Sequence, residues 1–204
     1  MATLITDPQL EERLKEQRHA WGADRYDEVW EGVYMMAPLP NNEHQRVVRG
    51  IYSALDLVVS GLELGEAFPG VNLAAFGGDW QHDYRAPDVA VFLHAGGARD
   101  CETHWEGPAD FLVEVVSPGD QTRQKIAFYE KIGVEEVLIV DRAPWKLELL
   151  RRQEGRLSQV GQSTLPEGEV LVSQRLPVQF RLAAGKPRPR IEILYPAAGQ
   201  RWLV

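Results

Sequence analysis

The sequence predicts an α/β (α+β) chain in which helices flank a mixed β-sheet, and three observations carry that expectation. The apolar run "DFLVEVV" is followed by a short helical segment and a second apolar run, "EEVLIVD", over residues 110–141. Strand, helix and strand in that order make a parallel pair. Both runs are apolar over most of their length, which places them at the centre of a sheet covered on both faces. A long amphipathic helix upstream, and further strands on either side, supply the cover and the edges.

Taken in order, residues 7–20 hold helix formers with Leu10 and Leu14 four apart, a modest amphipathic helix. In "RYDEVWEGVYMMAP", residues 25–38, β-branched and aromatic residues flank Glu31-Gly32, so a strand or hairpin is expected, ended by Pro38 and Pro40. Val47, Ile51, Ala54, Leu55 and Val58 then recur at three- and four-residue intervals behind an Asn cap, a helix from about residue 42 to 60. Short strands follow at 64–68 and 71–76, then the polar turn "GGDWQHDYRAP", a strand at 87–93 and a polar loop at 94–109 without a period. Ser117-Pro118-Gly119 stops the first apolar strand, and Asp120 can cap a helix running from about Gln121 to Gly133, with Ile126, Tyr129 and Ile132 on one face. "WKLELLRR" alternates as a strand. Beyond Gln153 the chain is richer in Gly, Pro and Gln; strands are expected near 169–173 and 176–181, then an irregular end.

With 204 residues, 44% hydrophobic and 25% charged, the chain suits one soluble domain spanning 1–204. No apolar run approaches the roughly 20 residues of a membrane helix, and the N-terminus lacks the apolar stretch of a secretory signal. A cytoplasmic protein without a membrane partner is expected. The lone Cys101 forms no internal disulfide, in keeping with a reducing compartment, and rules out a cysteine-rich zinc site. The formal charge of −8 repels polyanions, so binding nucleic acid would need a locally basic face or bound metal ions.

Chemistry concentrates on three polar residues. Glu114 sits inside an apolar strand, where a carboxylate must be paired, neutral or bound to a cation. Asp88 opens the strand at 87–93, and Lys125 lies in the helix that follows Glu114. Two carboxylates a few ångströms apart repel by roughly 4 kcal/mol at a surface-like dielectric, which a divalent cation between them removes. A neighbouring lysine can then stabilise charge developing on a phosphoryl group or orient a water.

"RAPDVAVF" with "DFLVEVVSPGDQTRQKIAFYEKIGVEEVLIVD", and "DEVWEGVYMMAPLPNNEHQRVV" upstream, resembles the Uma-type restriction endonucleases, a branch of the PD-(D/E)XK nuclease superfamily. The likeness runs from about residue 24 to 151. It implies a restriction-endonuclease-like mixed β-sheet flanked by helices, with the N-terminal helix and C-terminal strands appended. It also implies Asp88 and Glu114 as metal ligands for Mg²⁺ or Mn²⁺, and DNA as the substrate. In the superfamily's E-x-K pattern the lysine stands two residues after the glutamate; here that position is Val116, and the resemblance to this branch implies a lysine relocated to the next helix, which maps onto Lys125.

Around this set, His44 either caps its helix or serves at the site edge as a ligand or proton carrier. Glu31 either helps position water or metal or is solvated, and Glu28 has similar standing. Ser117 lacks the G-x-S-x-G context of a hydrolase nucleophile. His82, His94 and His104 lack zinc-motif spacing and read as solvated surface residues. Tyr129 and Trp145 read as core. Arg151, Arg152, Arg156, Lys186, Arg188 and Arg190 are the candidates for phosphate contacts, each with a solvated face as its alternative; no residue is assigned to nucleic-acid binding. Two functions stay open: a metal-dependent DNA endonuclease with Asp88, Glu114 and Lys125 catalytic, in which a homodimer is expected for double-strand cleavage, or a non-catalytic nuclease-like binding or regulatory module.

Overall fold

A computed structural model describes residues 8–117, 119, 121–166 and 168–204. The first half of the chain runs α1 (Pro8–Ala20), β1 (Glu28–Trp30), β2 (Val33–Met35), α2 (Asn42–Gly61), β3 (Gly65–Phe68), β4 (Leu73–Ala74), β5 (Tyr84–Arg85) and β6 (Val89–Leu93). Next come β7 (Arg99–Asp100), β8 (Trp105–Glu106), β9 (Phe111–Val115), α3 (Thr122–Ile132), β10 (Glu136–Arg142) and β11 (Trp145–Gln153). The remainder is β12 (Arg156–Ser163), β13 (Leu171–Val172), β14 (Gln179–Ala183), β15 (Arg190–Tyr195), a 3₁₀ turn and β16 (Gln200–Leu203).

Six strands in the order β12-β11-β10-β9-β6-β3 form the main sheet, with the apolar strands β9 and β10 parallel at its centre and every other pair antiparallel. Alternation then sorts the side chains. Phe111, Val113 and Val115 of β9, with Leu138 and Val140 of β10, pack against α2 and the sheet β13-β14-β15-β16. Leu112, Val137 and Ile139 pack on the opposite face against Phe128, Tyr129 and Ile132 of α3. Glu114 shares its parity with Leu112 and therefore faces α3.

α2 owes its start to Asn41, whose side chain accepts from the His44 N–H. α3 stops at Gly133, whose φ of 91° is a left-handed cap. Asp120, the expected cap of α3, lies outside the described residues, as does Pro118. β1 and β2 form the expected hairpin, closed by Glu31 and Gly32 with φ of 50° and 84°; positive φ at both turn positions matches the twist of the flanking strands. This hairpin belongs to a sheet of short strands, β2-β1-β5-β4-β8-β7.

Three expectations are corrected. The loop at 94–109 contains the paired strands β7 and β8, too short to produce a period. β12 has only Leu157 and Ser163 buried, so no apolar alternation marks it; its ladder with β11 defines it as an edge strand. The C-terminal end is not irregular, because β15 and β16 complete the last sheet and bury Ile191 and Ile193. Among the described residues no helix is long and apolar enough to cross a membrane.

Glu136, buried in β10, ties the C-terminal sheet to the main one. It accepts from Arg151 Nε at 2.7 Å, from Ser173 Oγ at 2.5 Å and from the Gln174 and Arg175 N–H groups. Glu136→Ala leaves these donors unmatched and is expected to cost about 2–4 kcal/mol of unfolding free energy in urea denaturation.

Candidate active site

The answer to the charge inside β9 lies on α3. Lys125 Nζ stands 3.1 and 3.3 Å from the two carboxylate oxygens of Glu114, and Tyr129 OH donates to Oε1 at 2.5 Å. Lys125 and Tyr129 are four residues apart, one helical turn, so both side chains reach the same strand. Lys125 Nζ also contacts Glu28 Oε1 at 2.8 Å and the Ala86 carbonyl at 3.4 Å. Glu28 is fixed in turn: its Oε2 accepts from Trp30 Nε1 at 2.6 Å and its Oε1 from the Ala86 N–H at 2.8 Å.

Asp88 directly precedes β6. The β6–β9 ladder pairs Val89 with Val113, which brings Asp88 to the Glu114 end of β9. Asp88 Oδ2 accepts from the Val115 N–H at 2.7 Å, and Oδ1 lies 2.8 Å from His44 Nε2. His44 Nδ1 is 3.3 Å from Ser117 Oγ, which accepts from Arg142 Nη2 at 2.9 Å. Nε2–H of His44 donates to the Asp88 carboxylate, and its Nδ1 faces the Ser117 hydroxyl.

Burial is the main influence on Glu114, which is 2% exposed. It pushes the carboxyl up to about 8; the Lys125 charge opposes the rise, while Asp88 and Glu28 add to it. Burial alone would lower the Lys125 pKa, but Glu114, Glu28 and Asp88 outweigh it and hold the ammonium charged well above its ordinary range. Tyr129 is raised by burial and then by Glu114, so its hydroxyl remains a donor. Three carboxylates thus act on one ammonium, leaving the site short of positive charge.

That donor set suits a hard divalent cation. Asp88 and Glu114 present carboxyl oxygens at one end of the sheet, and the raised Glu114 carboxyl marks a place where a bound positive charge, proton or metal, is favourable. Among the described residues, no third side-chain ligand joins these two in a tight cluster. Such an arrangement fits Mg²⁺-type ions, which take one or two carboxylates together with waters and substrate oxygens.

The structure brings together Asp88, Glu114, Lys125 and His44. Glu31 stands apart, exposed in the β1–β2 turn with its N–H on Asp83 Oδ1 at 3.1 Å, and Glu28 is the hairpin acid that reaches Lys125. Tyr129 is buried as expected for a core residue, but its hydroxyl belongs to the site. Three of the six basic candidates are occupied: Arg151 with Glu136, Arg152 with the Glu130 carbonyl, and Arg188 with Glu43 while lying over the Trp145 ring. His82 and His94 are exposed as expected, whereas His104 is buried, a correction taken up below.

A family model described as "Uma2: Putative restriction endonuclease" matches residues 16–185. Among solved structures, a putative nuclease belonging to DUF820 from Anabaena variabilis is similar in fold, with a TM-score of 0.60 and 18% identity, over 74% of this chain and 83% of that one. No curated protein matches the sequence.

The raised Glu114 carboxyl makes stability depend on pH. Between the ordinary value of 4.5 and about 8 the folded protein holds a proton that the unfolded chain has released. The unfolding free energy of the metal-free protein therefore falls as pH rises through that window. Urea denaturation across it is expected to give a shallower decline for Glu114→Gln than for wild type; parallel curves would show that Glu114 ionises normally.

Proposed function

The chain belongs to the Uma2 family of restriction-endonuclease-like proteins, and from that premise we propose that it is a Mg²⁺- or Mn²⁺-dependent DNA endonuclease hydrolysing phosphodiester bonds. The observation that carries the reading is Lys125 Nζ at 3.1 Å from Glu114, which puts an ammonium beside the sheet carboxylate even though Val116 occupies the superfamily's usual lysine position.

Asp88 and Glu114 would hold the metal. When bound, the ion would lower the pKa of a coordinated water and neutralise phosphoryl oxygen charge. Lys125, kept charged by its carboxylate neighbours, donates to a non-bridging phosphoryl oxygen as negative charge accumulates there. Glu28 positions Lys125, Tyr129 orients Glu114, and His44 orients Asp88. None of these three needs to touch the substrate to matter, because misplacing a ligand oxygen weakens the site.

A second reading has its own support. Lys125 is held between two internal carboxylates, and Arg151 and Arg188, two of the side chains that could follow a phosphate backbone, are tied in ion pairs. A nuclease-like binding or regulatory module without turnover would have the same geometry.

Nicking of supercoiled plasmid at low salt, with Mg²⁺ and then Mn²⁺, separates the two. The endonuclease reading expects cleavage by wild type, none by Asp88→Asn or Glu114→Gln in chains that circular dichroism shows to be folded, and a rate about 10²–10³ lower for Lys125→Met. Intact plasmid with wild type, and no metal binding by calorimetry, would leave the module. Cleavage of both strands calls for two sites, so light scattering is expected to give a dimer; a particle of monomer mass overturns that part.

A further inference from the structure

We propose that Cys101, His104 and Glu106 form a second metal site, for Zn²⁺ or a similar transition-metal ion, on the β7–β8 hairpin. One ligand atom from each of the three lies within 4.8 Å of the others. They come from six consecutive residues, "CETHWE", in a tight turn: the Cys101 N–H donates to the His104 carbonyl at 3.0 Å, and Glu102 takes a φ of 66°.

The decisive group is His104. Its side chain is 8% exposed, and its Nε2 is buried without a hydrogen-bond partner. That nitrogen is 3.6 Å from Glu106 Oε1, beyond hydrogen-bonding reach. Two ligands on one tetrahedral zinc, with bonds of about 2.0–2.3 Å, stand roughly 3.3–3.8 Å apart. The separation therefore suits a shared ion better than a direct bond. The rest of the ring is prepared for that use. Nδ1 lies 3.0 Å from Thr103 Oγ1, a partner to which Nδ1–H can donate, leaving the Nε2 lone pair for a metal. The Trp80 ring stacks on the imidazole at 4.5 Å and 11°, fixing its plane.

Glu106 divides its oxygens. Oε2 pairs with the Arg99 guanidinium, and Oε1 turns towards His104. Cys101, half-buried, adds a thiolate once metal displaces its proton. Sulfur, nitrogen and oxygen donors select a borderline ion and disfavour Mg²⁺, so this site and the Asp88–Glu114 pair call for different metals. Three protein ligands leave the fourth position to water or an incoming group. The hairpin is a firm support, because Trp105, between two of the ligands, stacks on Phe92 of the main sheet at 3.8 Å and 5°.

The test is titration of the metal-free full chain with Co²⁺, followed by displacement with Zn²⁺. The expected result is a thiolate-to-cobalt charge-transfer band in the near ultraviolet that saturates at one equivalent per chain and that Zn²⁺ abolishes. Cys101→Ser should lose the band. Glu106→Gln should weaken binding about tenfold or more. Asp88→Asn should leave the band unchanged, and Zn²⁺ should raise the midpoint of thermal unfolding of wild type by more than that of Cys101→Ser. Absence of the band at excess Co²⁺ overturns the proposal, as does a band unaffected by Cys101→Ser. Circular dichroism of the variants shows that each loss arises in a folded chain.

Discussion

A carboxylate at the centre of a six-stranded sheet is the constraint on which the rest of this molecule depends. Burying Glu114 without compensation would be prohibitive, and β9 supplies none, since its other side chains are Phe111, Leu112, Val113 and Val115. Compensation has to arrive from another element. It comes as Lys125 and Tyr129, one turn apart on α3, and that pair sets how the helix is rotated against the sheet. Lys125 in turn draws in Glu28, and with it the β1–β2 hairpin, whose Trp30 lies against the Arg85 guanidinium that also covers Phe128 of α3. One buried charge thus specifies the mutual placement of the central sheet, a helix and a peripheral hairpin.

The electrostatics of the site and of the surface pull in opposite directions. Inside, Glu28, Asp88 and Glu114 outnumber the one lysine they surround, which favours cations. Outside, an acidic chain spends Arg151 and Arg188 on its own carboxylates. Arg151 and Arg188 are thus unavailable to a polyanionic ligand, and a cation bound at the end of β6 and β9 would supply attraction there.

Much of this was legible because it rested on local pattern. The periodicity of α2, the apolar runs of β9 and β10 and the short helix between them point to a parallel pair covered by a helix on each face, and Asp88, Glu114 and Lys125 fall at one end of it. Less was legible where partners are distant in sequence. Glu28 and Glu31 are equivalent as letters; only the positive φ at Glu31 and Gly32, which lifts Glu31 off the ladder, leaves Glu28 facing Lys125. Tyr129 carried a signal in its spacing of four from Lys125, but an aromatic on an apolar helix face reads as core, and it is both. β12 lacks apolar alternation altogether, since an edge strand is fixed by its neighbour's ladder. His104 looked solvated because its burial depends on Trp80, whose position no local pattern reveals.

The register between β6 and β9 reaches further than the site itself. Asp88 and Glu114 are brought to the same end by an antiparallel ladder that pairs Val89 with Val113, and the connection closes over Asp110, whose Oδ2 accepts from the Leu93 N–H at 2.9 Å. A residue gained or lost inside β9 would turn Glu114 towards α2, and one inside β6 would shift Asp88 out of register with it, so either dismantles the arrangement. A residue gained or lost between Leu93 and Asp110 would not move either carboxylate. The geometry of the pair is therefore fixed by the two strands and independent of the length of the segment that joins them, which leaves the β7–β8 hairpin free to carry chemistry of its own.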